Sequence, residues 1–177
     1  MGDRRPKIEQ RIIKQLARIS ALLLVALFQT ALAPSIWRLR VDWMLVIVIG
    51  WALLAGLASG IRWAIIGGTA LDILSPLPIG SHLLALLLAV VIAMALTTGL
   101  PREHRLTATV AVIAMSLLYG VVLAAIMSTT GRPIVWERYP WTILLPVALV
   151  NGAAAVPTFV VLERIARRGR PNVGFET

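Results

Sequence analysis

Six apolar runs separated by short polar breaks account for most of the chain, at roughly residues 19–33, 43–59, 63–74, 81–98, 106–130 and 141–162. A helix that crosses about 30 Å of hydrocarbon at about 1.5 Å per residue needs about 20 mostly apolar residues. The pattern therefore predicts an all-α polytopic membrane protein with six transmembrane helices. The third run is the weakest, because Asp72 and the pair Pro76 and Pro78 cut its apolar stretch short of a bilayer. It reads as a short or tilted span completed by part of "SPLPIG", or as a re-entrant piece. Ahead of the first run, Ile8, Ile12, Ile13, Leu16 and Ile19 fall on one side of a basic helix, the pattern of an interfacial segment. The chain thus divides into a basic amphipathic segment (1–18), a membrane domain (19–162) and a basic cytoplasmic tail (163–177). The first run, with basic residues before it and Ala31-Leu32-Ala33 at its end, imitates a signal peptide. With five further spans behind it, it reads as a retained first transmembrane helix.

Composition strengthens that reading. Of 177 residues, 59% are hydrophobic and 14% charged, with a mean hydropathy of +0.87, a balance that a solvated surface does not carry. The formal net charge of +9 would suggest nucleic acid in a soluble protein, but here the cations sit at the ends and in selected loops. With six spans and a cytoplasmic N-terminus, Arg38, Arg40, Arg132 and Arg138 fall outside and the rest of the seventeen lysines and arginines fall inside, as the positive-inside rule requires. A third run that failed to cross would move Arg102, Arg105 and the tail arginines outside. The pattern thus favours six spans with both termini in the cytoplasm. Trp37, Trp43, Trp63, Trp136 and Trp141 flank the runs as an aromatic belt.

Chemistry-bearing residues are sparse. Without cysteine there is no disulfide and no thiolate ligand or nucleophile, and two distant histidines, His82 and His104, make a zinc cluster improbable. No nucleotide loop, nucleophile elbow or paired carboxylate is present, and Glu137-Arg138 reads as a solvated pair. The chain is accordingly expected to be no enzyme and to need no cofactor. Asp72 is the single formal charge within the runs. A carboxylate at such depth costs at least about 2.5 to 3.5 kcal/mol on insertion scales, so it should face protein, water or a partner. As a structural residue it could accept N–H groups freed by the following Ser-Pro-Leu-Pro turn, or bonds from Ser81 or His82. A proton or cation site and a direct partner contact are the other uses. Gln29 and Asn151 are mid-span amides suited to bonding across helices. Small residues at Ala52, Gly56 and Gly60, and again at Ser116, Gly120, Ala124 and Ser128, form ladders along which helix backbones can approach, within the chain or against a partner.

One stretch, residues 40–96, resembles the bacterial rod shape-determining protein MreD family. Its parts are the Asp42-Trp43 opening of an apolar span, a basic turn at Arg62, a helix containing Gly67 and Gly68, "LDILS" from Leu71 to Ser75, and the Ile79-Gly80 turn into the next helix. Val41 departs from the pattern, since the family often has proline before the aspartate. The resemblance implies a non-catalytic subunit of the cell-elongation machinery in the cytoplasmic membrane. Its expected partners are the single-span protein MreC, the RodA polymerase with its transpeptidase, the MreB filament, and a second copy of the chain. It also implies a six-helix fold similar to the substrate-binding subunits of energy-coupling-factor vitamin transporters, which makes a vitamin-type small-molecule binder the rival function. For the scaffold, the residues expected to shape helix packing or meet the partner are Asp72, Gly68, Pro76, Pro78, Gly80, Gly56, Gly60, Gly120 and Asn151.

Overall fold

The computed structural model describes residues 8–32, 40–102, 104–131 and 134–169. Expectations that rest on Arg4, Arg5, Lys7, Ala33, Trp37, Arg38, Arg132 and Arg170 lie outside these residues. The described chain is all helical: α1 (Ile8–Leu27), α2 (Trp43–Ala55), α3 (Leu57–Leu74), α4 (Ser81–Leu96), α5 (Arg105–Thr129) and α6 (Leu145–Gly169), with π-helical turns at Phe28–Leu32 and Pro140–Leu144. Three stretches are long and apolar enough to cross a bilayer, Leu57–Leu74, Arg105–Thr129 and Pro140–Arg167; Gln15–Ala31, Trp43–Ala55 and Ser81–Leu96 are apolar but shorter.

α2 is the axis of the bundle. Met44, Leu45, Val46, Val48, Ile49, Ala52 and Leu53 are all buried, so it is apolar around most of its circumference, as a helix surrounded by protein must be. It touches each of the other five helices, and α3, α4, α5 and α6 pack in sequence order around it while α1 lies against α3.

The boundary between the second and third runs differs from expectation. The chain turns at Gly56, with φ of 87°, a left-handed value at which a side chain is strained, and α3 begins at Leu57. Ser59 and Arg62 therefore belong to α3 instead of to the end of a span and a turn. The third run is consequently not the short one: at 18 residues it measures about 27 Å, whereas α2, with 13, measures about 20 Å. The run Ala52, Gly56, Gly60 is not a ladder on one helix either. It folds back on itself, so that Ala52 and Gly60 face each other across the corner, where a Cβ on Gly60 would stand 2.5 Å from that of Ala52. The corner is closed by Trp51 and Trp63, stacked with ring centroids 4.7 Å apart, and by the Trp51 indole N–H donating to Ser59 Oγ at 2.9 Å.

Candidate functional site

A helix start leaves its first N–H groups without intrahelical partners, and in lipid each unsatisfied group costs several kcal/mol. At the end of the bundle opposite the Gly56 corner, three helices begin, α2, α4 and α6, and the starts of α2 and α4 are capped by side chains of neighbouring elements.

Asp72, buried in the last turn of α3, caps α4. Its Oδ2 accepts the N–H groups of Gly80 at 3.0 Å and Leu83 at 3.2 Å, and its Oδ1 accepts that of His82 at 2.8 Å. Gly80 makes this possible with a left-handed conformation, φ of 97°, which swings the chain from the turn into the helix. Ser81 does not meet Asp72: both its N–H and its hydroxyl donate to Pro78 O, the hydroxyl at 2.6 Å. Gly68 lies one helical turn before Asp72, against the backbone of Leu83, and its missing side chain lets α3 and α4 come this close. Pro76 and Pro78 are exposed on the connecting turn, and Ser75 Oγ accepts the Leu77 N–H within it.

The start of α2 is built in the same way by α1 and α6. Met44 N–H donates to Gln29 Oε1 at 2.9 Å, and Asp42 N–H donates to Asn151 Oδ1 at 2.8 Å. Asn151 is fully buried and uses its amide N–H groups on Ser116 Oγ at 2.9 Å and Asp42 Oδ2 at 3.3 Å. Both amides expected to bond across helices do so.

α5 joins the two capped starts. Ser116 receives Asn151, and Tyr119, one turn further along the same face, meets His82 Nδ1 through its hydroxyl at 2.6 Å. His82 Nε2 lies 3.1 Å from Ser75 Oγ, so both ring nitrogens have a hydroxyl partner, and a neutral ring can donate to one and accept from the other. The expected candidates thus divide: Asp72, Gly68 and Gly80 gather around the start of α4, Asn151 serves that of α2, and Gly56 and Gly60 form the opposite corner. Gly120 packs beside Leu144, and its carbonyl accepts the Tyr139 hydroxyl at 3.2 Å. Asp42 as the acceptor of Asn151, Ser116 as a hydrogen-bond partner instead of a ladder residue, and Tyr119 were missed. Asp42 stands directly before an apolar helix, the usual N-cap place, but its side chain makes no cap bond to α2 and accepts Asn151 and Gln29 instead; a serine and a tyrosine inside an apolar run carried no signal of their pairing.

Asn151→Leu is expected to leave the Asp42 N–H without an acceptor and Ser116 without a donor, lowering stability by about 1 to 3 kcal/mol. A detergent melt of that variant indistinguishable from the parent chain would show that the seam contributes nothing.

The two capped starts coincide with the two acidic elements of residues 40–96, and a family model described as rod shape-determining protein MreD matches residues 9–164. The chain belongs to the MreD family. No curated protein and no solved structure matches it. MreD membership makes it a membrane protein of rod-shape determination, a family of shape-determining proteins and not of known enzymes. In MreD terms, the aspartate before α2 and the "LDILS" element are the places where side chains replace missing backbone partners at helix starts.

Proposed function

We propose that the chain is a non-catalytic integral scaffold of the bacterial cell-elongation complex, which binds a single-span MreC-like partner and supports peptidoglycan synthesis. The MreD match over residues 9–164 carries this reading. In it, all six helices cross the cytoplasmic membrane, both basic ends lie in the cytoplasm, and the caps lie toward the outer face. The short α2 can cross because protein surrounds it and its start meets Gln29 and Asn151 instead of lipid. The complex would further include a RodA-like polymerase with its transpeptidase and an MreB-like filament, and a second copy of the chain could pack on an exposed helix face. A likeness to the energy-coupling-factor subunit fold belongs to the same proposal.

The use made of polar groups supports a scaffold over a transporter. Among the described residues, every buried side-chain nitrogen and oxygen has a hydrogen-bond partner within the chain. A vitamin-type ligand needs unspent polar groups in a cavity, whereas the groove between α4 and α5 and the one beside Trp43 are lined by aliphatic and aromatic side chains and a methionine, with two threonines.

Co-purification in mild detergent tests the reading. The tagged chain should retain the MreC-like protein of its own cell, and depletion should turn rods into spheres. A chain that purifies alone, from cells whose shape is indifferent to its loss, would refute it.

A further inference from the structure

At the end of the bundle that carries the Gly56 corner, a groove of about 340 Å³ opens between α4 and α5. Ala93, Ala111 and Met115 form its floor, and Leu96, Leu106 and Val110 its walls. The hydroxyl of Thr97, at its edge, is already turned inward onto Ala93 O at 2.8 Å, so the groove offers almost nothing polar. The loop that joins α4 to α5 beside it is different. Arg102 in that loop is held by the end of α4, donating from Nε to Thr97 O at 3.2 Å and from Nη2 to Met94 O at 3.3 Å, which among the described residues leaves three of the five guanidinium N–H groups for other acceptors. Arg105, exposed, is the first residue of α5. A cation there stands against the positive end of the helix dipole, an arrangement that an anion relieves. Glu103 between them lies outside the described residues, and the loop "LPREHR" keeps a positive formal charge with it included.

We propose that this groove holds one acyl chain of an anionic phospholipid whose phosphate rests on Arg102 and Arg105. A lipid chain can follow the open trough, whose lining is apolar throughout apart from Thr97 and Thr107. The order of chemistry also fits a lipid, with an apolar trough beside two arginines, one of them presenting a planar fork suited to phosphate oxygens. The site needs only that the chain is embedded in a membrane, and it is independent of which partner the scaffold binds. A second groove, beside Leu24, Phe28 and Trp43, has no cation among its lining residues and carries no assignment.

Native mass spectrometry of the full chain, offered equal amounts of phosphatidylglycerol and phosphatidylcholine with identical acyl chains, provides the test. The parent chain should retain phosphatidylglycerol preferentially. Arg105→Gln, at an exposed position where loss of the cation does not weaken the helix, should reduce that preference about fivefold, the effect of one arginine near an anionic surface. Val110→Trp, at a position 64% exposed, should obstruct the groove and reduce retention of both lipids without changing the melting temperature. Equal retention of the two lipids by the parent chain would overturn the proposal. So would an unchanged preference in Arg105→Gln, unchanged retention in Val110→Trp, or a lipid-free dimer that Val110→Trp separates.

Discussion

Gly68→Val is expected to abolish accumulation of the folded protein, while Gly67→Ala, one position earlier, is expected to be tolerated. Both glycines are buried in α3, and a Cβ at either would stand 2.5 Å from its nearest neighbour. What differs is the neighbour. At Gly67 it is the sulfur of Met44, the far end of a flexible side chain that can rotate away. At Gly68 it is the Cα of Leu83, followed by the Leu83 nitrogen at 3.0 Å, and backbone in the first turn of α4 cannot move without carrying the helix with it. Overpacking of this kind typically costs about 1 to 3 kcal/mol and more where backbone is displaced. Here the displacement also lengthens the hydrogen bonds between Asp72 and α4, so valine should reach the upper end or beyond. Detergent-solubilised yield and thermal melts of the two variants measure the contrast. Similar melts for Gly67→Ala and Gly68→Val would mean that α3 and α4 are not held at this distance.

The helix count and the candidate caps were legible because they rest on local patterns: long apolar runs, and amides or a lone acid within them. The corner between α2 and α3 was misread for a related reason. Between Trp43 and Leu71 the sequence has one charged residue, Arg62, so the turn was assigned near it. The backbone turns at Gly56, where nothing polar marks the site and the deciding property is tolerance of positive φ. Arg62 instead sits on the exposed side of α3, with its Nε donating back to Ala58 O. The seam along α5 was hidden for another reason. Ser116 and Tyr119 are one turn apart on a helix that reads as uniformly apolar, and they acquire their roles from Asn151 and His82, which lie 35 and 37 residues away in sequence. Such pairings arise from how α5 packs against α4 and α6, and no periodicity in one helix announces them.

Asp72→Leu is expected to be the other severe substitution, and the geometry around the carboxylate makes its comparison with Asp72→Asn informative. Leucine is of similar size and lowers the cost of burial, yet it leaves the N–H groups of Gly80, His82 and Leu83 without the acceptor each now has. At about 1 to 3 kcal/mol for each buried donor left unmade, the loss exceeds about 3 kcal/mol, enough to deplete a protein of ordinary stability. Asparagine keeps some hydrogen-bonding capacity. The structure makes it intermediate: all three partners are donors, and asparagine offers one accepting oxygen and one donating amide. With its oxygen turned toward Gly80 and Leu83, its amide confronts the His82 N–H; turned the other way, it confronts two. The order of melting temperatures should therefore be parent, then Asp72→Asn, then Asp72→Leu, with co-purification of the MreC-like partner falling in the same order. A proton or cation site at Asp72 predicts a different pattern, in which asparagine abolishes a flux through liposomes and leaves the melt unchanged. Full stability of Asp72→Leu would show that α4 starts without its cap.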